Sequence, residues 1–437
     1  MKKIYFNIDL NKILFGLIGF IWSASLSFSQ KPAANFQQEE IAIINAKIHV
    51  GNGQILEKSI LLFAKGIIKY IGTNETNLKK STIIIDAMGK EIYPGFIAPV
   101  STIGLAEIGM VAATIDDAEV GSINTSSRAI IAYNTDSKVI PTLRSNGVLT
   151  AQVVPSGGRI SGQSSIVELE AWNWEDAAYK IDEGIHINWP GMYRYNEAHT
   201  ESGRSLINEN YKKETQELED YFYKAKAYNS TAPADSKHLE FEAMLGLWSG
   251  SKQLYIHAQL AKQIIQAVLF CKKFNLVCVI VGGKDAWRVS DFLKEHNTAV
   301  ILDRTHSLPM REDEDVDQVY KNAATLQAAG VLYCLSDEGY WQQRNLAFQA
   351  GQSKAYGLTY EQALSAITLN TAKILGIADK TGSIEIGKEA TFFISQGDAL
   401  DMKTQLVTQA FIRGREIDLD DHQKALYRKF RTKYQSK

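Results

Sequence analysis

The sequence predicts an α/β protein: a (β/α)8 barrel of the TIM type, joined to a small composite β-sandwich that both ends of the mature chain build. Short β-branched runs separated by glycines occupy residues 40–96 and return at 382–418. Between them, residues 97–381 alternate strand-like and helical patterns. That stretch suits a barrel, which needs about 250 residues. A doubly wound parallel sheet is the alternative.

Composition limits the classes of function. The chain has 437 residues, of which 45% are hydrophobic and 22% charged, an ordinary balance for a globular protein. A formal net charge of -2 and a pI near 6.5 provide no basic surface for nucleic acid. The three cysteines, Cys271, Cys278 and Cys334, have apolar neighbours. Because the count is odd and sparse, we expect buried free thiols rather than a disulfide framework.

The first 29 residues have the order of a secretory signal peptide. Three lysines precede an apolar run at 13–22, and small residues then lead to Ser29, where we expect cleavage. An uncleaved membrane anchor is the alternative, although a span needs about 20 apolar residues. No later segment reaches that length, so we expect an exported protein, periplasmic or secreted, without a membrane span after cleavage.

The β-rich ends are read from short runs broken by glycine. The first run breaks at Gly51 and Gly53. The predicted strands are 41–50, 59–63, 67–71 and 82–86 at the start, and 382–394 and 405–413 at the end. Because the two groups resemble each other, we expect them to form one domain.

The middle of the chain repeats strand and helix. Near-continuous apolar strands indicate a buried parallel sheet. The predicted strands are 148–154, 254–257, 277–281, 299–302 and 331–335, and the predicted helices are 258–274, 286–295, 316–329 and 359–375. The polar, aromatic-rich region near 190–250 reads as an insertion over one barrel face, and 419–437 as a charged C-terminal helix.

Polar side chains follow several predicted barrel strands, where the active site of such a barrel lies. His257 ends one strand, Asp303 and His306 follow another, and Asp337 and Glu338 follow the last. His257 and Asp337 are suitable ligands for one metal ion. Asp337 could instead act as a general base on bound water. The simpler alternative is a hydrogen-bonded histidine at a strand end and an aspartate that caps a turn.

Two further residues are candidates for substrate contact. Arg159 lies in the glycine-rich stretch 155–163, which lacks the Gly-Lys-Ser/Thr ending of a P-loop. A tight barrel loop is the alternative there. His306 lies in a loop at the predicted mouth, where plain loop hydrogen bonding is the alternative. The other histidines, His186 among them, show no spacing that groups them.

Several motifs resemble the amidohydrolase superfamily, of the imidazolonepropionase-like type, over almost all of the mature chain. They are Asp-Ala-Met-Gly-Lys at 86–90, Pro-Gly-Phe-Ile at 94–97, Asn-Gly-Val-Leu-Thr at 146–150, Ile-His-Ala at 256–258, Leu-Ser-Asp at 335–337, the run 366–376 with Asn-Thr-Ala, and Gly-Ser-Ile-Glu-Ile-Gly-Lys at 382–388. The resemblance implies hydrolysis of C–N bonds in non-peptide or cyclic amides or dipeptides, with metal-activated water.

The resemblance also shows what is missing. The family's first-strand Asp-x-His-x-His motif falls on Ala98, Val100 and Thr102. The fifth-strand histidine is matched by His257 and the last-strand aspartate by Asp337, whereas the sixth-strand histidine is lost near residues 282–283. We therefore expect zinc or another divalent metal as a single ion at most, or no metal.

Two hypotheses follow. The first is a hydrolase with a reduced site, in which His257 ligates or orients, Asp337 acts as base, and His306 and Arg159 contact a small-molecule substrate. The second is a non-catalytic binding subunit, as a homo-oligomer or in association with an intact homologue.

Overall fold

The computed structural model describes residues 32–73, 78–195, 205–231 and 237–435. The predicted signal peptide at 1–29 lies outside these ranges. Contacts divide the chain after Ala33 into two units. The described strands and helices belong to the unit that begins at Ala34.

Strands from both ends of this unit form one sheet of eight strands. They are β1 (Ile41–His49), β2 (Ile55–Ala64), β3 (Ile67–Gly72), β4 (Ile83–Asp86), β5 (Glu91–Pro94), β16 (Phe392–Ser395), β17 (Val407–Ile412) and β18 (Arg415–Glu416). The two ends meet where β5 pairs antiparallel with β16. The sequence predicted this shared domain as a sandwich; the strands are connected in a single sheet, and the two-layer arrangement stays a prediction.

A second sheet of eight strands forms a nearly closed barrel. In order across the sheet these are β6 (Phe96–Ser101), β7 (Val148–Val153), β8 (Ile160–Glu168), β9 (Ala178–Asn188), β12 (Gln253–Ala258), β13 (Cys278–Gly282), β14 (Ala299–Leu302) and β15 (Tyr333–Leu335). Its interior holds apolar side chains including Ile97, Tyr255, Val279, Ile301 and Cys334. All three cysteines are free and buried, as predicted.

One strand departs from the predicted parallel order. Strand β8 runs antiparallel to both β7 and β9. The glycine-rich loop reverses the chain directly after β7, because Gly157 and Gly158 take positive φ angles of 77° and 61°. A helix crossover would have returned the chain in parallel. The expectation of an all-parallel barrel is therefore wrong at β8.

Helices surround the barrel and fill the insertion. They are α1 (Ala129–Ala132), α2 (Ile140–Arg144), α3 (Trp174–Ala177), α4 (Tyr211–Thr231), α5 (Leu239–Ser249), α6 (Ala261–Lys273), α7 (Ser290–Glu295), α8 (Gln318–Ala329), α9 (Leu346–Ala355), α10 (Tyr360–Ser365), α11 (Leu369–Leu375) and α12 (His422–Gln435). The short strands β10 (Tyr193–Tyr195) and β11 (Ser205–Ile207) pair within the insertion. Its long helix α4 packs Phe222 on Phe270 of α6. Among the described helices, none is both long and apolar enough to cross a membrane.

A buried histidine joins the small sheet to the barrel helices. The His49 side chain at the end of β1 is only 2% exposed and lies between two carboxylates. Its Nδ1 atom is 2.7 Å from Glu361 Oε1 of α10, and its Nε2 atom is 2.8 Å from Glu91 Oε2 of β5. The ring also stacks on Tyr93 with centroids 4.5 Å apart. Both ring nitrogens face acceptors, so the arrangement fits an imidazolium.

The electrostatics agree with that protonation state. Burial lowers the pKa of His49, but the hydrogen bonds to Glu361 and Glu91 outweigh burial and raise the pKa above 6.5. The hydrogen bond from His49 is in turn the main reason that the pKa of Glu91 falls to about 2. His49 therefore stabilises the fold below its unfolded pKa, and Glu91 does so above its own.

The substitution His49→Gln should lower the free energy of unfolding by about 3 kcal/mol, since it removes the buried cation that lies between two partly buried carboxylates. The difference from wild type should be largest between pH 4.5 and 6.5, the ordinary values of the two groups. It should shrink as the pH rises through the raised pKa of His49, and again as the pH falls towards 2. Urea unfolding over this pH range measures it. His422→Gln on exposed α12 is the control, and a difference that widens above neutral pH would contradict the assignment.

Candidate functional site

The barrel mouth is held together where β6 approaches the loop after β15. The Thr102 amide donates to the Gly339 carbonyl at 3.2 Å, and the Ser101 hydroxyl donates to the same oxygen at 2.8 Å. The Ser336 hydroxyl donates to the Pro99 carbonyl at 2.8 Å. We call this set of bonds the β6–β15 junction. The junction lies between β6 and β15, the two edge strands of the sheet, which do not pair with each other. It fixes the position of residues 336–339.

A cavity of about 310 Å³ opens beside this junction at the carboxyl ends of the strands. It is lined by Val100, Ser101, Thr102, Val154, Pro155, Ser156, Gly157, Ser161, Asn188, His257, Gln259, Val281, Asp303, Ser336, Glu338 and Gly339. Its location agrees with the place where barrel active sites lie. Its size suits a small molecule.

Two histidines meet at the wall of this cavity. The Nε2 atom of His257 lies 3.0 Å from the Nδ1 atom of His186, so one ring donates a hydrogen bond to the other. Burial lowers the pKa of His257 to about 4, although the charge of Glu338 opposes this shift. Burial, and then the proximity of His257, also hold the pKa of His186 well below 6.5. Both rings are therefore neutral near pH 7.

A polar network inside the barrel fixes His186. Its ring stacks on Tyr255 with centroids 4.6 Å apart. The Tyr255 hydroxyl donates to Glu183 Oε2 at 2.9 Å, and Gln152 donates to Glu183 Oε1 at 2.7 Å. Burial raises the pKa of Glu183. Because Tyr255 fixes the His186 ring, the hydrogen bond from His186 in turn fixes the orientation of the His257 ring.

A pair of carboxyl groups lies at the ends of the neighbouring strands β14 and β15. Asp303, which follows β14, and Glu338, which follows β15, both line the cavity. The Gln259 amide also donates to Asp303 Oδ2 at 2.9 Å. Burial and then the contact with Glu338 hold the pKa of Asp303 well above 3.8. Burial and the neighbouring carboxyl group thus both favour the protonated form of Asp303.

The residues present do not fit the metal centre that the family motif would supply. Val100 and Thr102 stand in the two histidine places, and the Val100 amide donates to Gln152 Oε1 at 3.1 Å. His257 uses its Nε2 atom on His186. Over the described residues, no group of three or more histidine, cysteine, aspartate or glutamate side chains could hold a metal ion.

Asp337 does not line the cavity, although the residues on both sides of it do. Its carboxylate faces Arg304, with Oδ1 3.6 Å from Nε. Burial raises the pKa of Asp337 to about 6, against the opposing charge of Arg304. His257 lines the cavity together with the acidic residues Asp303 and Glu338, and the ligation of one metal ion by His257 and Asp337 stays a prediction.

The two expected substrate contacts also lie elsewhere. Arg159 forms an ion pair with Glu214 of α4 at 3.0 Å and donates to the Asn188 carbonyl, so it ties the insertion to the barrel. The exposed His306 lines a different surface cavity, together with Lys354 and Asp398. Neither side chain lines the cavity at the mouth.

Sequence reasoning missed the pairing of His186 with His257 and of Asp303 with Glu338. The first pair depends on strand register, because β9 and β12 place His186 opposite Tyr255 and two residues from His257. The second depends on the loop after β15, where Glu338 takes a positive φ of 47°. The only signal in the sequence was that Asp303 and Glu338 both follow barrel strands.

The carboxyl pair predicts that Asp303 keeps its proton above the pH at which a free aspartate ionises. Infrared difference spectra of wild type against Asp303→Asn over a pH series should show a carboxylic-acid band that the variant lacks and that persists above pH 3.8, because the pKa of Asp303 is raised well above that value. Asp337→Asn is the matched control. At a pH well above 6, the Asp337→Asn substitution should remove only carboxylate absorption from the spectrum, since Asp337 is then ionised. Loss of carboxylate absorption alone in Asp303→Asn would refute the protonation of Asp303.

Comparisons with known proteins agree with this architecture. The model of the amidohydrolase family matches residues 334–417. An imidazolonepropionase from Shewanella oneidensis is 57% identical over 37 residues, which is 8% of this chain and only 9% of that protein. An amidohydrolase from Thermotoga maritima has a TM-score of 0.74 at 24% identity, covering 86% of this chain and 99% of its own.

A Xaa-Pro dipeptidase with methionine bound in its active site has a TM-score of 0.56 at 16% identity, over 87% of this chain and 100% of that one. At these identities the solved structures show the fold alone. The family match over residues 334–417, the short imidazolonepropionase match and the shared fold all support a similarity of this chain to the amidohydrolase superfamily, of the imidazolonepropionase-like type.

Proposed function

We propose that this chain hydrolyses C–N bonds of small molecules in the cavity at the barrel mouth, and that Asp303 and Glu338 are its acid–base pair. The observation that carries the proposal is that these two carboxyl groups line the same cavity as His257, where the proximity of Glu338 adds to burial in raising the pKa of Asp303. Relatives of this fold include a dipeptidase and other hydrolases, which supports the reaction class.

Two carboxyl groups that share one proton can serve both halves of the reaction. The Glu338 carboxylate takes a proton from water as the water oxygen bonds to the amide carbon. Asp303 gives its proton to the nitrogen as the C–N bond breaks. Neutral His257, fixed by His186, can hydrogen-bond the substrate, and Thr102 and Ser156 add hydroxyl groups to the lining.

Members of the amidohydrolase family usually bind divalent metals, and a metal would supply a polarised water. The described residues hold no group of three or more histidine, cysteine, aspartate or glutamate side chains for such a centre, so no step of the proposal depends on one. Export to the periplasm or beyond stays part of the proposal and rests on residues 1–29 alone.

Hydrolysis of a panel of dipeptides, N-acyl amino acids and cyclic imides by the purified chain tests the proposal. Activity should persist with a chelator present. Asp303→Asn and Glu338→Gln should each lower kcat/KM by about 100-fold or more, since they remove general acid–base catalysis. Asp337→Asn, one residue from Glu338 but outside the cavity, is the matched control and should retain most activity. Activity that needs added zinc, or that survives both cavity substitutions, would contradict the proposal.

A non-catalytic binding subunit is the second candidate, and the replacement of two ligand positions by Val100 and Thr102 favours it. It predicts no turnover of any substrate in the panel, together with stable association either with itself or with an intact homologue. Co-purification with that homologue and size-exclusion chromatography distinguish the two candidates.

A further inference from the structure

The C-terminal helix α12 has an uncovered apolar face. None of its residues is buried. Leu426 and Phe430 are 37% and 46% exposed, and Tyr427 and Tyr434 are 64% and 65% exposed. The spacing of Leu426, Phe430 and Tyr434 places them on one side of the helix, with Tyr427 beside them. An exposed apolar face on a regular helix is typical of a site that binds another molecule or a membrane.

The same helix is strongly basic. Its five charged residues are Lys424, Arg428, Lys429, Arg431 and Lys433, and it carries no acidic residue. Since the whole chain has a formal net charge of -2 and α12 contributes +5, the rest of the chain carries -7. The helix is therefore an exposed segment of positive net charge in a chain whose remainder has a negative net charge.

The first turns of the helix are bonded to the rest of the protein, and the residues beyond them are exposed. Lys424 donates to the Ser145 hydroxyl at 3.0 Å, and Arg428 pairs with Asp420 at 2.7 Å. Farther along, Lys429 lies over the Phe430 ring, and Lys433 over the Tyr434 ring. The helix is thus held to the protein by its first turns while its apolar and basic groups remain available.

We propose that α12 docks this protein on an anionic lipid surface. An aromatic and aliphatic face bordered by lysine and arginine suits the boundary between acyl chains and headgroups, with long basic side chains reaching the phosphates. The acidic remainder of the chain is repelled by such a surface, so α12 is the segment that makes contact. This inference is independent of the proposed hydrolysis.

Sedimentation of the full chain with vesicles tests the proposal. Binding should be strong to equal parts of phosphatidylglycerol and phosphatidylcholine, weak to phosphatidylcholine alone, and reduced by salt. Each basic residue near an anionic surface contributes about a five-fold change in partition, so Lys429→Gln, Arg431→Gln and Lys433→Gln together should weaken binding by roughly 100-fold. The double change Leu426→Ser and Phe430→Ser should weaken it to both vesicle types.

The matched control replaces three exposed lysines of α4, Lys212, Lys213 and Lys224, by glutamine, and should bind like wild type. Because residues 1–31 are present in every variant, differences between variants report α12. Equal binding of the basic-residue variant and wild type would overturn the proposal. So would a change in oligomeric state without a change in vesicle binding, which would assign the face to a second copy of the chain.

Discussion

The candidate site depends on the β6–β15 junction, which connects the first and last strands of a barrel sheet that does not close by strand pairing. Bonds from Thr102, Ser101 and Ser336 cross this gap. On the inner side, Ile97 and Leu335 donate their amides to the carbonyls of the segment before α11. Without these contacts, the loop that carries Glu338 would have no fixed position relative to Asp303.

This junction also explains how the mouth keeps its shape without the family's metal ligands. A metal ion would otherwise tie the strand ends together through its ligands. Here, the Val100 amide bonds to Gln152, and Gln343 bonds to the Pro99 carbonyl at 3.2 Å. Hydrogen bonds between side chains and the main chain support the mouth, and Val100 holds a positive φ of 52° that a β-branched residue adopts only under constraint.

Much of the fold could be predicted from the sequence, because apolar runs and glycine breaks are local. The strand ends at His257 and Asp303 were found in this way. The reversed strand β8 could not be, since its direction depends on a turn at Gly157 and on pairing with a strand distant in sequence. It could not be predicted either that Glu338, and not Asp337, lines the cavity. The directions of neighbouring side chains in a loop depend on backbone angles that the sequence does not reveal.

The central claim is that carboxyl chemistry, not a metal cluster, remains at this barrel mouth. Elemental analysis of the protein purified from medium supplemented with zinc and manganese tests it most directly. The account predicts well under one equivalent of either metal, unchanged in a His257→Ala variant. A stoichiometric metal that His257→Ala removes would show that the site still assembles a metal centre, and would contradict the account.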